Sequence, residues 1–160
     1  MRITSAGNVG VATATPDEKL TVGGIFTPSA ENAYTLGTST TRWKEAWAGN
    51  GTVQTSDARL KTNVLPLNYG IAEIMKMNPV AYNWKTSPST DRKVGLIAQE
   101  VQSVIPEVVV GDAAKETLGM NYAELAPVLI KAIQQQQQRL ATLKAELAAL
   151  TETANHFAQN

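Results

Sequence analysis

The sequence contains no cysteine and a single histidine, His156, close to its C-terminus. The first absence excludes disulfides, thiolate metal sites and catalytic thiols, and the second excludes a histidine metal cluster and disfavours a histidine-based triad. No run of about eighteen apolar residues is present, so no membrane insertion is expected. The first residues, Met-Arg-Ile-Thr-Ser, lack the apolar core of a signal peptide.

Charge of either sign is also not in excess. Lysine plus arginine number 14 and aspartate plus glutamate number 14, which gives a formal net charge of zero. No basic tract stands out, so a nucleic-acid partner is not expected. The acidic residues show no pairing suited to glycosidase chemistry, and no phosphate-binding loop is present. The sequence therefore predicts neither a metal site nor a cofactor.

Residues 1–55 are rich in Gly, Thr, Ala and Ser and contain too few large apolar side chains to bury a core. Such a segment becomes stable when identical copies wrap around a common axis; a flexible linker is the alternative. Trp43 and Trp47 favour the wrapped shaft, and their rings are expected to pack in an apolar seam rather than to stack on sugars. The pattern predicts short strands at 9–11, 20–22 and 25–26, and turns at Gly7-Asn8 and Asn50-Gly51.

Residues 56–120 have the pattern of apolar residues expected of a small α+β domain. Apolar spacing and breakers predict a helix over 71–77 ended by Pro79, a strand over 80–84, a loop at 87–91, a buried strand over 94–98, a helical turn at 99–104 and a strand over 107–110.

Residues 121–160 are predicted to form a long helix. Asn121 and Glu124 have capping-box spacing, and Pro127 is expected to be the first residue of the main helix. A heptad seam over roughly four repeats favours a coiled coil over a single helix packed on the domain. Gln136 is its one polar position, and these residues permit two or three strands. The seam consists of Leu129, Ile133, Gln136, Leu140, Leu143, Leu147, Leu150, Ala154 and Phe157.

The residues best suited to catalytic chemistry lie at the border between the first two segments, where Ser56 precedes Lys61 by five residues. A serine nucleophile needs a base, and lysine serves where burial favours the neutral amine. On a helix the two side chains would point about 140° apart. They could meet in a turn or across a subunit boundary. Without a family resemblance, a helix cap with solvated charges is the simpler interpretation of Ser-Asp before Arg-x-Lys.

Ser56-Asp57-x-Arg59-Leu60-Lys61 resembles the opening motif of the intramolecular chaperone family, a group of self-cleaving serine peptidases at the ends of phage tailspikes, endosialidases and tail fibres. Five blocks match this family in the right order, and the stretches 9–22 and 36–44 are similar to phage fibre shafts. The blocks are residues 56–61, 79–85, 94–101, 105–109 and 121–134.

The resemblance implies a domain that trimerises its passenger, drives its folding and then cleaves the bond before the motif serine. On this chain the scissile bond is Thr55–Ser56, Ser56 is the nucleophile and Lys61 is the candidate base. Asp57 and Arg59 are expected to organise the turn and to hold Lys61 or the carbonyl. The reaction passes through either an N-to-O acyl shift or direct ester formation with later hydrolysis.

The predicted architecture is therefore α+β: a β-rich intertwined trimeric shaft (1–55), a small α+β chaperone domain (56–120) and a trimeric coiled-coil helix (121–160). The expected partners are two further copies of the chain and the fibre passenger in cis; any host-surface receptor would be bound upstream of Met1. The resemblance places the product in the virion and the folding step in the host cytoplasm. The alternatives are an uncut structural cap and the same module in a membrane-anchored transcription factor, which the missing basic domain and transmembrane segment disfavour.

Overall fold

The computed structural model of the chain describes residues 1–51, 53–85 and 92–158. They form two compact units, Met1–Thr38 and Ser39–Asn160. Short strands combined with a long C-terminal helix confirm the predicted α+β class. The predicted loop at 87–91 lies outside the described residues. Within the described part of the chain, no helix is long and apolar enough to span a membrane.

The first unit is a small three-stranded sheet. Strand β1 (Arg2–Ile3) runs antiparallel to β2 (Val9–Val11), and β2 runs parallel to β3 (Leu20–Val22). A tight turn joins β1 to β2, with Gly7 at a φ of 74° and its N–H donating to the Thr4 carbonyl. The predicted turn there and the predicted strands at 9–11 and 20–22 are confirmed.

The predicted strand at Ile25-Phe26 is wrong. The ladder ends where the Gly23 N–H donates to the Val11 carbonyl at 2.9 Å, and the following residues have no regular structure. An apolar pair of this length cannot form a strand when no neighbouring segment pairs with it. The predicted turn at Asn50-Gly51 is present, with Gly51 at a φ of 68°.

The first unit has almost no interior of its own. Gly10 and Pro16 are its buried residues, whereas its large apolar side chains, such as Leu20 and Phe26, are exposed. Gly10 is required by close packing, because a Cβ there would lie 2.7 Å from the Thr13 carbonyl oxygen. The sheet is therefore held mainly by backbone hydrogen bonds in the single chain.

The second unit places two antiparallel ribbons and two short helices against the start of a long helix. The ribbons pair β4 with β5 and β6 with β7, and 3-10 turns occupy Ala58–Leu60, Pro106–Val108 and Tyr122–Glu124. The regular elements are α1 (Ile71–Ile74), β4 (Val80–Tyr82), β5 (Lys93–Gly95), α2 (Ala98–Gln102), β6 (Val109–Val110), β7 (Gly119–Met120) and α3 (Leu125–Ala158).

The core of this unit is small and lies between α2 and the first turns of α3. Val101 and Ile105 are one helical turn apart and share a face, and Pro106 starts the 3-10 turn that brings Val108 to the same side. These three side chains are nearly inaccessible to water, and Leu125 and Val128 of α3 pack on them. Burying such apolar groups contributes about 1.5–3 kcal/mol each.

Two predicted strands differ from the structure. The run 94–98 is not a buried strand: β5 ends at Gly95, α2 begins at Ala98, and Val94 is 84% exposed. Successive side chains of a strand point to opposite faces, and Val94 lies on the face of the ribbon that is open to water. The run 107–110 is a strand only in its second half, because Pro106 favours a 3-10 turn before it.

The predicted start of the long helix is also corrected. Helix α3 begins at Leu125, two residues before Pro127, which the first turn tolerates because its missing N–H would have no helical partner there. Asn121 does not form a capping box. Its side-chain amide donates to Glu124 Oε1 at 2.8 Å, so the two side chains bond to each other instead of to the backbone.

Helix α3 has two apolar faces next to each other. The domain face, defined as Leu125, Val128, Ala132 and Gln135, packs on the second unit, and its first three residues are buried. The predicted seam is shifted by one residue and is exposed in the single chain; Leu147, for example, is 65% exposed. A shift of one residue corresponds to a rotation of about 100° around the helix axis.

Gln135 fastens α1 to α3. Gly70 precedes α1 and has no side chain with which to cap it, but its N–H donates to Glu73 Oε2 at 2.9 Å. The Ile71 N–H donates to Gln135 Oε1 at 2.8 Å across the contact between the helices. A Cβ at Gly70 would overlap the Gln135 amide. The glutamine thus supplies the cap that the glycine cannot.

We expect Gln135→Ala to destabilise the second unit by about 0.5–2 kcal/mol, because the Ile71 N–H loses its acceptor. Gln134→Ala is the matched control, since Gln134 is exposed and the change in helix propensity is identical. Denaturant unfolding followed by circular dichroism measures both. Equal midpoints for the two variants would show that the cap contributes nothing.

Candidate functional site

A short turn brings the predicted nucleophile and base together. Asp57 has extended backbone angles and caps the 3-10 turn Ala58–Leu60, its Oδ1 accepting from the Arg59 N–H at 2.9 Å. The Leu60 N–H donates to the Asp57 carbonyl and the Lys61 N–H to the Ala58 carbonyl, each at 3.1 Å. One tight turn therefore separates positions 56 and 61 in place of a longer helix.

Lys61 Nζ donates a hydrogen bond to Ser56 Oγ at 2.7 Å. The contact lies within one chain, in a turn, which is one of the two ways in which these side chains could meet. The distance is within the range of a proton-transfer pair. The Thr55–Ser56 peptide bond directly precedes the hydroxyl, and residues 53–57 have no regular secondary structure.

Asp57 and Arg59 bind each other beside this pair. Arg59 Nη2 lies 2.6 Å from Asp57 Oδ2, and Arg59 Nε donates to both carboxylate oxygens at 3.1 Å. The side-chain hydrogen bonds from Arg59 lower the pKa of Asp57 from its ordinary value, and the hydrogen bond from the Arg59 backbone N–H lowers it further. The same contact raises the pKa of Arg59. The predicted role of both residues in organising the turn fits this fork.

The whole turn is open to solvent in the single chain. Ser56 and Lys61 are exposed, and the side chains of Arg59 and Asp57 are 88% and 36% exposed. Water competes for every hydrogen bond at such a surface, which weakens charge interactions. The geometry thus places a hydroxyl beside an amine at a surface that is open to water in the single chain.

The other candidate residues lie elsewhere. Trp43 and Trp47 are both exposed, and Trp47 Nε1 donates to Glu45 Oε2 at 2.9 Å. Their predicted packing needs a partner surface and stays a prediction. Among the described residues, no group of three or more His, Cys, Asp or Glu side chains is arranged to hold a metal ion.

A known protein family matches the part of the chain that begins at this turn. Residues 56–110 match the family of serine peptidases described as the chaperone of endosialidase, and the match starts at Ser56 itself. This segment is a chaperone-of-endosialidase domain. The predicted family is confirmed.

A stretch of the chain is also similar to a phage protein, the side tail fiber protein pb1 of Escherichia phage T5. The two are 51% identical over 41 residues, which cover 26% of this chain and 3% of that protein. The similarity thus spans a small part of the phage protein. The chaperone family and the fibre relative together support a tail-fibre chaperone.

Three contacts that hold the chaperone-of-endosialidase domain were not foreseen from the sequence. Tyr69 donates its hydroxyl to Glu107, at 3.0 Å from each carboxylate oxygen, and the Leu96 N–H donates to the Tyr122 hydroxyl at 3.0 Å. Gln135 is the third, through its bond to Ile71. Each joins distant parts of the sequence. The one available signal was that Glu107, Leu96 and Tyr122 fall inside the matched blocks, whereas Tyr69, Ile71 and Gln135 lie outside them.

The Tyr69–Glu107 hydrogen bond holds the segment that follows the turn between Ser56 and Lys61. The bond stabilises the protonated phenol and so raises the pKa of Tyr69, and partial burial and the negative charges of Glu107 and Glu73 add to the effect. The chain between Lys61 and Tyr69 is otherwise exposed and has no regular structure. The turn is therefore connected to the core of the chaperone-of-endosialidase domain by an exposed, irregular segment that ends at this bond.

We expect the Asp57 carboxyl to titrate below its ordinary pKa of 3.8 in the folded chain. Because the folded pKa is lowered, the fork's contribution to stability is present above the unfolded pKa and is lost as the pH falls through the folded one. Carbon-detected NMR titration measures the midpoint, and Arg59→Ala should move it upward. Asp112, whose pKa is lowered by Lys115, is an internal control that Arg59→Ala should leave unchanged. An unmoved Asp57 midpoint would contradict the fork.

Proposed function

We propose that this chain is the C-terminal part of a phage tail fibre or tailspike, which trimerises, assists folding of the fibre and then cuts itself between Thr55 and Ser56. The observation that carries the proposal is the 2.7 Å contact between Lys61 Nζ and Ser56 Oγ. It falls at the first residue of the chaperone match. A peptidase family, a hydroxyl, an amine and an adjoining peptide bond thus coincide within one turn.

In the proposed reaction, Lys61 in its neutral form takes the hydroxyl proton from Ser56 while Oγ attacks the Thr55 carbonyl carbon. The bond from that carbon to the Ser56 nitrogen then breaks, the nitrogen leaves as an amine after gaining a proton, and an ester to Oγ remains. Water hydrolyses the ester, which leaves a carboxylate on Thr55 and a free hydroxyl on Ser56. An N-to-O acyl shift and direct ester formation both fit this balance.

Asp57 and Arg59 act on the position of the turn rather than on the reacting atoms. Their fork fixes the backbone between the nucleophile and the base. A carboxylate held by a guanidinium keeps its negative charge, and that charge lies one residue from Ser56. The pair is therefore assigned a positioning role.

Association with further copies of the chain is supported by how little of the single chain is buried. The described chain exposes 13867 Å², whereas a compact monomer of this mass is expected to expose about 7,800 Å². The exposed side chains include large apolar groups in both units, such as Phe26 and Leu147. Large exposed apolar surface of this kind is typical of chains that associate.

The exposed seam of α3 supports a coiled coil in particular. Leu140, Leu143 and Leu147 follow heptad spacing on a helix of 34 residues, and the domain covers a different face. Gln136 lies among them as one polar layer, a device that fixes register at some cost in stability. Three chains aligned by this helix would hold the C-terminal ends of their shaft segments at the same level.

Cleavage after assembly has a physical rationale. An intertwined shaft forms slowly because most of its contacts join different chains or distant residues. A coiled coil raises the effective concentration of the chain ends. Once the shaft has closed, removal of the template leaves no easy route back, so the product gains kinetic stability. Neighbouring chains would also cover the turn at Ser56 and exclude water from it, so that cutting waits for assembly.

The named relative, a side tail fiber protein, supports placing the product in the virion. Folding would then occur in the host cytoplasm during assembly, with the fibre passenger in cis upstream of Thr55. Any receptor contact belongs to that upstream part. Residues 1–55 are the proposed end of the shaft, 56–120 the chaperone domain and 121–160 the coiled coil.

A second candidate is an uncut structural cap that trimerises the fibre. The exposure of Ser56 and Lys61 favours it, because a solvated lysine that donates to a hydroxyl is also what an ordinary surface turn displays. This cap would use the same helix and the same domain. The two candidates differ only in whether the Thr55–Ser56 bond is broken.

The intact mass of denatured, freshly purified protein distinguishes them. We expect two fragments that meet at Thr55–Ser56, and one full-length chain for Ser56→Ala. Lys61→Met should slow cutting by at least about 100-fold, because a general base contributes that much or more. Lys76→Met is the matched control, since Lys76 pairs with Glu73 on the surface and should leave cutting unchanged. An uncut wild-type chain that is still trimeric on native mass analysis would support the structural cap.

We expect the chain to be trimeric through its seam. Replacing Leu143 and Leu147 together by asparagine should abolish the trimer, because each loses a buried apolar contact. Ala145 and Ala148 on the outer face, both replaced by asparagine, form the control and should leave the trimer intact. Native mass spectrometry reports the oligomeric state. A trimer in the first variant would mean that the seam does not hold the chains together.

A further inference from the structure

An open apolar groove of about 640 Å³ lies in the second unit, between α1, the β4–β5 ribbon and the start of α3. Ile74, Val80 and Leu96 line it from the domain, and Leu125 and Leu129 line it from the helix. The remaining lining is also almost entirely apolar. Small-molecule sites usually add a few convergent polar groups that orient the ligand. This groove has the character of a protein contact instead.

The groove borders the seam of α3. Leu129 belongs to both, because it is the first seam residue and part of the groove wall. In heptad terms Leu129 is a d position, and Leu125, four residues earlier, is a g position. Residues at g flank the seam and face the neighbouring helix. A chain packed on the seam would therefore lie directly beside the groove.

The geometry of a parallel coiled coil names the residue that arrives there. A g position faces the e position that lies five residues later on the neighbour. For Leu125 that residue is Ile130 of the next chain. Ile130 is 57% exposed in the single chain. The later e positions of the helix, Gln137, Lys144 and Thr151, are polar. Ile130, the e residue beside the groove, is therefore the apolar one of these four.

We propose that Ile130 of a neighbouring copy enters the groove of each chain. The inference rests on the proposed association through the seam and specifies a contact that the seam alone does not require. Each chain gives its Ile130 to one neighbour and receives another from the chain on its other side, which closes a ring. The groove is larger than one isoleucine side chain, so the helical turn that carries Ile130 also covers its opening.

This contact makes the domain of one chain part of the helix interface of the next. The groove exists only when the ribbon, α1 and the start of α3 are in place together. A chain whose domain is unfolded would present no complete groove to its neighbour. The stability of the assembly thus depends on folding of every domain as well as on the helices.

Cross-linking between single-cysteine chains tests the contact, and the natural chain has no cysteine to interfere. Val94→Cys, at the groove, is placed in one chain and Ile130→Cys in another, and the two are co-expressed and treated with a short bismaleimide. A 94–130 link can arise only between chains, and mass spectrometry of the peptides identifies it. Gln137→Cys, one heptad or about 10 Å further along, replaces Ile130→Cys in the control.

We expect the 94–130 link and a loss of it in the 94–137 pair. A trimer on native mass analysis with no 94–130 link, or with both links equal, would overturn the inference and leave the coiled coil standing. A wild-type chain that is monomeric would overturn the association itself. The two failures are therefore distinguishable.

Ile130→Arg provides a second measurement. It should raise the concentration at which the trimer dissociates by on the order of tenfold or more, because an isoleucine loses its burial. Gln137→Arg is the same substitution at the next e position and should leave that concentration nearly unchanged. Equal shifts for both variants would contradict a special role for Ile130. Circular dichroism of both variants checks that the domain and the helix stay folded.

Discussion

The packing of Leu125 and Val128 on α2 and the turn after it is the contact on which the rest of the second unit depends. It is almost the whole core, since the buried cluster adds only Val101, Ile105 and Val108. Because this contact covers one face of α3, the neighbouring seam face stays exposed. This packing uses only the first turns of α3, so the core is small. The rest of the helix extends beyond the domain and carries exposed apolar side chains.

The reactive turn follows a different logic, because its geometry is local. Asp57 caps a turn of three residues, and this is sufficient to bring Lys61 to Ser56 within one chain. What the turn lacks is shelter, since both side chains are exposed. If neighbouring chains supply that shelter, as proposed above, the proposed cleavage would depend on assembly.

The features that sequence predicted well are those set by short-range patterns. The strands at 9–11 and 20–22, the helix before Pro79 and the length of α3 follow from alternation, breakers and heptads. The strand over 94–98 failed because its end at Gly95 is set by what surrounds it rather than by its residues. The Tyr69–Glu107 and Ile71–Gln135 bonds span 38 and 64 positions, and no spacing rule reaches that far. Ser56 and Lys61 emerged from family resemblance, since their spacing alone favoured a helix cap.

The glutamine run 134–138 carries a constraint that its simple composition conceals. Gln135 must reach Ile71, and Gln136 lies in the seam, so the run connects the domain-bound part of α3 to its free part. One glutamine more or fewer would rotate every later seam residue by about 100° relative to the domain. The number of glutamines in this run therefore sets the rotation of the seam relative to the domain, although the composition of the run is simple.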